Sequence, residues 1–345
     1  MRRRFLGLIT LSLLWAGCAG PRHAASAVSG SFAPEPYVRI ASSDSNYVAL
    51  QIAAREFVSA RRGAPVVWLA GVSHIGESNY YAALQAQLDA QTLVLFEGVG
   101  AADAASATNN VDQPEPAHKS ADADSNDGNR ASLQSAMAAA LGLVFQLDAI
   151  DYRRPNFRNS DLTIMQLREL MAQQEAGSTK GGASQSFEDL LGLMEGNSWF
   201  DWLIQAALRF LGANPKFQAL GRLALIDLLG QLQGDPSRLE GLPPDMKQLL
   251  EVLLQRRNEK VIRDLQAELP EIERHGSIAI FFGTGHMPDL EKRLRSQLKY
   301  SPKRDLWFTA FDVDLGKSKV SPSERAFIDD FVKWQLAEAS RKAAK

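Results

Sequence analysis

Cysteine is almost absent from this chain, because Cys18 is the only one among its 345 residues. A lone cysteine cannot form an internal disulfide, and it excludes sites built on cysteine pairs. Charge of one sign is also lacking, since 38 Lys and Arg nearly balance 40 Asp and Glu. No basic block follows Arg2-Arg3-Arg4. We therefore expect no nucleic-acid partner, and the composition is that of an ordinary globular protein.

Residues 1–17 have the anatomy of a signal peptide. A basic start precedes an apolar run from Phe5 to Gly17, which is too short to span a bilayer as a mature helix. The run ends in Leu14-Trp15-Ala16-Gly17-Cys18, which resembles a bacterial lipobox, although Trp15 departs from the usual small or aliphatic residue. In a lipobox the cysteine becomes the lipidated first residue. The alternative is an ordinary secretory signal with an incidental cysteine.

Lipidation at Cys18 predicts a protein held on the periplasmic side of a bacterial membrane, its membrane contact being the N-terminal lipid. Ala19, rather than aspartate, follows the cysteine, which favours the outer membrane. Residues 18–43 are rich in Ala, Ser, Gly and Pro without a sustained period, so they are expected to form a flexible tether.

The rest of the chain predicts one α/β domain over residues 44–315 and a C-terminal helix over residues 316–345. Apolar spacing predicts a helix over Tyr47–Arg61, followed by a strand–helix–strand unit that ends at Glu97. Such a unit favours parallel strands joined by a right-handed crossover. We expect a central, mostly parallel sheet built from the N- and C-terminal halves of the domain.

Two insertions are predicted between the halves of this sheet. Residues 101–130 contain Ala, Asp, Asn, Ser and Pro with almost no apolar bulk, so they cannot bury a core and are expected to be disordered. Residues from about 132 to 269 have mainly helical spacing and are expected to form a helical subdomain. Within it, Asp161 is placed as the N-cap of a helix that runs to about Gln174.

Two Gly-x-x-His elements, each at the end of an apolar run, are the main functional signal. Gly71-Val72-Ser73-His74 follows Val66–Ala70, and Gly283-Thr284-Gly285-His286 follows Ile278–Phe282. A third apolar run ends at Glu97. Short apolar runs of this kind predict buried strands, and ligands bind at the carboxyl ends of strands in open α/β sheets.

Two imidazoles and a carboxylate on one edge of a sheet suit either a metal site or an acid–base site. Glu97 is then a third ligand beside His74 and His286, or the general base. Gly71 and Gly283 let the chain turn where a Cβ atom would obstruct it. Ser73 and Thr284 could bind a ligand or orient the imidazoles. The spacing is not a known metal signature, and a strand-end histidine with a capping or packing role is the alternative.

The order of these motifs resembles that of the TraB/PrgY/GumN–Tiki family. The two Gly-x-x-His elements and the strand-end Glu97 are joined by an Arg-Asn pair on a late helix, in Gln255-Arg256-Arg257-Asn258, and by Leu143-Val144-Phe145-Gln146. The resemblance spans roughly Val66 to Phe311 and rests on short motifs. This family is grouped with erythromycin-esterase-like and ChaN-like proteins. The polar insertion over residues 101–130 and the lipoprotein signal depart from its compact pattern.

The resemblance implies a metal-dependent hydrolase, with peptide hydrolysis as one activity, since the animal Tiki members are metal-dependent proteases. It implies a divalent ion of unknown identity on His74, Glu97 and His286, with Arg257 as a clamp for an anion or a transition state. The substrate, a peptide or a small molecule, is not indicated. Three alternatives stay open: a non-catalytic metal- or haem-binding lipoprotein of the ChaN-like type, a metal-free esterase-like hydrolase, and an interaction protein whose site has decayed.

The lipid anchor is tested by replacing its only candidate attachment residue. We expect Cys18→Ser to release the protein from the membrane fraction, because a cysteine thiol is the lipid acceptor. Immunoblotting of membrane and soluble fractions measures this, with the wild-type chain as the control. A variant that stays with the membranes as the wild type does would refute the anchor.

Overall fold

The structure is a computed structural model that describes residues 34–44, 46–98, 133–176, 184, 188, 212, 214–231, 249–272 and 275–343. Several predicted features lie outside these residues: the signal peptide over 1–17, Cys18, the start of the tether and the insertion over 101–130. In the part of the chain that is described, none of the helices combines the length and apolarity needed to cross a bilayer.

A seven-stranded sheet is the centre of the fold, in the order β1-β2-β3-β8-β5-β7, with β9 also paired to β2. The strands are β1 Val38–Asp44, β2 Tyr47–Ser59, β3 Val66–Val72, β5 Leu93–Phe96, β7 Phe157–Asn159, β8 Ser277–Gly283 and β9 Tyr300–Asp314. A separate two-stranded sheet joins β4 Ile75–Gly76 to β6 Val144–Phe145.

The pairs β3–β8, β8–β5 and β5–β7 are parallel. The C-terminal strand β8 lies between β3 and β5, which come from the N-terminal half. The predicted α/β class, with one sheet built from both halves of the chain, is therefore confirmed. Strands β3, β5 and β8 are nearly continuous apolar runs because parallel strands are covered on both faces.

The antiparallel side of the sheet corrects two predictions. The predicted helix over Tyr47–Arg61 is the long strand β2, which pairs with β9 along its whole length. Alternate residues of β2 face two different cores, so both faces of the strand are apolar. The alternation of apolar and polar residues that usually marks a strand is therefore missing. The predicted tether over residues 18–43 extends too far, because β1 begins at Val38 and pairs with β2.

Eight helices are described around the sheet. They are α1 Ser78–Asp89, α2 Leu133–Ala140, α3 Gln146–Ala149, α4 Ile164–Ala176, α5 Pro215–Gln231, α6 Arg257–Glu268, α7 Met287–Gln297 and α8 Pro322–Ala343. Helix α1 is the helix of the predicted strand–helix–strand unit. Helix α8 begins with a capping box: the Ser321 amide donates to Glu324 at 2.9 Å, and the Glu324 amide donates to the Ser321 hydroxyl at 3.3 Å.

The segment between β5 and β8 is not purely helical. It supplies β6 to the small sheet and β7 to the edge of the main sheet. It also supplies Gln146, Asp161 and Arg257, which lie at the site described below. The sequence pattern missed β7 because the strand has only three residues, with Arg158 exposed in the middle.

One buried ion cluster joins the sheet to α7. Arg55 on β2 is 2% exposed, and it donates to Asp305 on β9 at 2.7 and 2.8 Å and to Glu291 on α7 at 2.7 Å. The Tyr37 hydroxyl donates to the same Glu291 oxygen at 3.0 Å, and its ring lies under the guanidinium at 4.3 Å. Since a buried charge is costly without a partner, the cluster is stable only as a unit.

We expect Arg55→Met to lower the free energy of unfolding by about 3–5 kcal/mol, because Asp305 would stay buried without its cation. Urea denaturation near neutral pH measures this. The control is Lys333→Ala, which breaks an exposed pair with Asp329 on α8 and should cost less than about 1 kcal/mol. Equal effects of the two substitutions would contradict the prediction.

Candidate active site

The three strand ends singled out in the sequence are neighbours in the sheet. Register pairs Val72 of β3 with Gly283 of β8, and Phe281 of β8 with Phe96 of β5. His74, Glu97 and His286 follow these strand ends, so they project from the same edge of the sheet.

Both motif glycines are sites of close approach. A Cβ atom on Gly283 would lie 3.3 Å from Glu97 Oε2 and 3.5 Å from His74 Nε2, so both side chains reach the same glycine. A Cβ atom on Gly71 would lie 3.2 Å from the Thr284 methyl group. Thr284 of the second motif thus packs against Gly71 of the first motif. A side chain at Gly283 would intrude on the space between Glu97 and His74.

Arg257 is the centre of a buried ion triad. Its Nε and Nη2 donate to the two oxygens of Asp161 at 2.8 and 2.7 Å, and Nη2 also donates to Glu97 Oε1 at 2.6 Å. The side chain of Arg257 is 8% exposed, that of Asp161 1% and that of Glu97 16%. Nη1 donates to the Leu253 carbonyl at 3.3 Å and lies 3.5 Å from His286 Nε2. All five N–H groups of the guanidinium are therefore engaged.

The geometry corrects the role predicted for Arg257. A guanidinium with every N–H group engaged inside the protein has no donor left for a substrate oxyanion, so Arg257 is not a clamp in this arrangement. It holds Glu97 and Asp161 instead. The backbone before it forms a π-helical turn, Glu251–Arg256, whose Leu253 carbonyl accepts one of its protons. Irregular turns of this kind are frequent at functional sites.

Glu97 is held as a carboxylate. Burial raises its pKa, but the Arg257 charge, the neighbouring imidazoles and the Gly283 amide, which donates to Oε2 at 2.6 Å, together lower that pKa well below its usual range. A carboxylate this stable is a poor proton acceptor at neutral pH. The interpretation of Glu97 as a general base is not supported by this environment, and its charge is available to stabilise a neighbouring cation.

His286 is buried and neutral. Asn258 Nδ2 donates to Asp289 at 3.0 Å, so Asn258 Oδ1 faces His286 Nδ1 at 2.7 Å and must accept its proton. The lone pair is then on Nε2, which lies 3.7 Å from Glu97 Oε1. Burial lowers the pKa of His286 to about 4, and the nearby Arg257 charge adds to this effect while Glu97 opposes it. Phe282 packs edge-on against the ring at 5.3 Å.

His74 differs from His286 in its exposure to solvent. Its Nδ1 lies 2.9 Å from Gln146 Oε1, while Gln146 Nε2 donates to the Tyr152 hydroxyl at 2.7 Å. The Gln146 oxygen can only accept, so Nδ1 carries a proton, and in the neutral ring the lone pair is on Nε2. That nitrogen lies beside Gly283, which Glu97 Oε2 also approaches. His74 is the imidazole that solvent or a substrate can reach.

Ser73 and Asp161 have roles other than those predicted. The Ser73 hydroxyl donates to the Ile75 carbonyl at 2.8 Å, so it shapes the turn before β4 and does not point at a ligand. Asp161 is not the N-cap of α4, because Thr163 and Gln166 form a reciprocal capping pair there. Asp161 accepts from Arg257 and from the Gly98 amide at 3.0 Å.

Sequence reasoning missed the site roles of Gln146 and Asp161. Asp161 follows the end of β7 as Glu97 follows the end of β5, so the strand-end rule applies to it once β7 is known. Gln146 follows β6, a two-residue strand with no recognisable pattern. Both signals are too short to separate from loop sequence.

The donor types suit a divalent ion, since imidazoles and carboxylates are common ligands of zinc. The arrangement of these residues opposes a bound ion in two respects. Among the described residues, no group of three or more His, Cys, Asp or Glu side chains is placed to hold a metal ion. The Arg257 cation also occupies Glu97 Oε1 and lies 3.5 Å from His286 Nε2, where it would repel a dication. A metal ion on these residues would require Arg257 to move away from Glu97, and the metal site stays a prediction.

The buried His286 makes stability depend on pH in a defined direction. The folded-state pKa of His286, about 4, lies below the unfolded value near 6.5. The unfolded chain therefore binds the proton more tightly, and the free energy of unfolding decreases as the pH is lowered across that interval. We expect His286→Gln to be less stable than the wild type near pH 7. The difference should shrink by about 2 kcal/mol near pH 4.5, where wild-type unfolding is favoured by protonation.

Chemical denaturation of both chains at the two pH values measures this change. The matched control is His275→Asn, at an exposed histidine with φ of 71°, where asparagine tolerates the backbone conformation. The control should follow the wild type at both pH values. A difference between His286→Gln and the wild type that does not change with pH would refute the burial argument.

The chain was compared with protein-family models, with curated proteins and with solved structures, and none of the three comparisons gives a match.

Proposed function

We propose that this chain is a hydrolase of the metal-free acid–base type, with His74 as the general base. One observation carries the proposal: the exposed imidazole of His74 has its Nδ1 bound by Gln146, and its Nε2 lies beside Gly283, whose amide holds Glu97. The order of the sequence motifs, which resembles that of the TraB/PrgY/GumN–Tiki family and its esterase-like relatives, supports hydrolysis as the reaction class.

The reaction follows from the groups present. His74 Nε2 takes a proton from a water molecule as the water oxygen forms a bond to the substrate carbonyl carbon. The imidazolium that results is stabilised by the permanent charge of Glu97, which Arg257 keeps ionised. His74 then returns the proton to the leaving ester oxygen or amide nitrogen as the carbonyl–heteroatom bond breaks. The imidazole finishes neutral, so no proton is lost or gained by the protein.

Burial gives the two histidines different roles. His286 stays neutral because its surroundings oppose protonation, so it positions Glu97 and Arg257 and takes no part in proton transfer. His74 lies at the solvent-facing side, where water and substrate arrive.

The metal-dependent hydrolase is the second candidate function. It is favoured by the fact that Nδ1 of each imidazole binds a side-chain amide oxygen, as the outer nitrogen of a metal-bound histidine binds a hydrogen-bond acceptor. His74, His286 and Glu97 would hold the ion, which when bound would polarise a carbonyl and lower the pKa of water. Arg257 would then have to move away from Glu97.

We further propose that the hydrolase acts on the periplasmic side of a bacterial membrane, held there by lipid on Cys18. The lipobox-like run Leu14–Cys18 supports this location. The site would then meet substrates of the cell envelope, whose identity the sequence does not indicate.

The proposal is tested by hydrolysis of a neutral ester, p-nitrophenyl butyrate, and of an internally quenched peptide by the purified full chain. We expect His74→Ala to reduce kcat on the cleaved probe by about 100-fold or more, because general-base catalysis contributes that much. The circular dichroism spectrum should not change, since His74 is exposed. His275→Asn is the matched control and should keep the wild-type rate.

Elemental analysis and treatment with EDTA separate the candidates. Turnover that survives EDTA in a protein without stoichiometric metal supports the metal-free hydrolase. Loss of turnover in EDTA, with about one ion per chain that His74→Ala removes, would establish the metal-dependent enzyme instead. Bound metal or haem without turnover would favour the non-catalytic lipoprotein, and equal rates for His74→Ala and wild type would exclude His74 as the base.

A further inference from the structure

Gln146 holds His74 at two points. Its backbone amide donates to the His74 carbonyl at 2.8 Å, and its side-chain oxygen lies 2.9 Å from His74 Nδ1. The small sheet places it there, because Ile75 of β4 pairs with Phe145 of β6. Gln146 is 4% exposed, so its amide group cannot exchange these partners for water.

Tyr152 sets the orientation of this amide. Gln146 Nε2 donates to the Tyr152 hydroxyl at 2.7 Å. Burial keeps Tyr152 neutral by raising its pKa far above the ordinary value, and the charge of Glu97 acts in the same direction. The ring is fixed by Phe96, at 5.0 Å between centroids, and by Phe281, at 6.3 Å. With the nitrogen of Gln146 committed to Tyr152, its oxygen is left for His74.

We infer that Gln146, oriented by Tyr152, is a positioning residue that fixes the tautomer of His74 with the proton on Nδ1 and the lone pair on Nε2. The inference deepens the proposed function, on which its catalytic part rests. In the opposite tautomer Nε2 carries a hydrogen, and the face of the ring beside Gly283 and Glu97 presents no base. Gln146 therefore acts through His74 without contact with a substrate.

The geometry assigns separate amides to the two histidines. Asn258, which binds His286, is adjacent to Arg257 on α6, whereas Gln146 belongs to the segment after the polar insertion. The ionisable groups near His74 are Glu97 and His286 at the strand ends, with Arg257 behind Glu97 and Tyr152 behind Gln146. The contact to His74 Nδ1 itself comes from Gln146, which is not ionisable.

The tautomer is measured directly by nuclear magnetic resonance on the full chain labelled with ¹⁵N-histidine, since protonated and unprotonated ring nitrogens have distinct shifts. The His74 signals are assigned by their loss in His74→Gln. We expect Nδ1–H in the wild type. Gln146→Met keeps the length of the side chain but removes the acceptor, so the Nε2–H form should appear. Gln146→Glu restores an acceptor and should restore Nδ1–H.

The second readout is the hydrolysis rate on whichever of the two substrates, the ester or the quenched peptide, the wild type cleaves. We expect Gln146→Met to lower kcat by about 10- to 100-fold with KM unchanged, and Gln146→Glu to recover most of the rate. The matched control is Gln91→Met, the same substitution at a buried glutamine whose Nε2 donates to the Gln87 carbonyl away from the site. The control should keep both the tautomer and the rate.

Tyr152→Phe gives a second variant, because it keeps the packed ring and removes the hydroxyl that orients Gln146. It should populate both tautomers of His74. If Gln146→Met and Tyr152→Phe both keep the wild-type tautomer, the inference is wrong, whatever their rates. If the tautomer shifts as expected but the wild type hydrolyses neither probe, the positioning role stands and the proposed hydrolase fails.

Discussion

The edge of the sheet that carries the site depends on burying one guanidinium. Arg257 is enclosed between Asp161 and Glu97, and a buried cation is tolerated only when its partners satisfy both its charge and its N–H groups. The two carboxylates follow β7 and β5, and the arginine begins α6. The triad can therefore form only after strands from distant parts of the chain have paired.

This constraint decides what each neighbouring group can do. Because Arg257 and the Gly283 amide hold Glu97 ionised, that carboxylate provides charge and does not accept protons. Because His286 is buried beside the same cation, it stays neutral. In the proposed mechanism, proton transfer is assigned to His74, which lies outside the enclosed triad and is exposed. Two histidines in nearly identical motifs thus have different chemistry, and the difference is one of solvent access.

Much of the framework was predictable from apolar patterns. The strands β3, β5 and β8 are continuous apolar runs, and helix α1 is the helix of the predicted strand–helix–strand unit. Strand β2 was misassigned as a helix because it faces apolar cores on both sides, and β7 was missed because it has three residues. In each case burial by distant elements overrides the local pattern.

Apolar patterning alone predicts that His74, Glu97 and His286 follow buried strands of an α/β sheet. Three features come from the folded chain instead: β8 inserts between β3 and β5, Asp161 and Glu97 share Arg257, and Gln146 contacts His74. Strand order and ion pairing depend on contacts between residues far apart in the chain, and no local periodicity records them. Burial, which sets the protonation of His286 and Glu97, is likewise a property of the assembled fold.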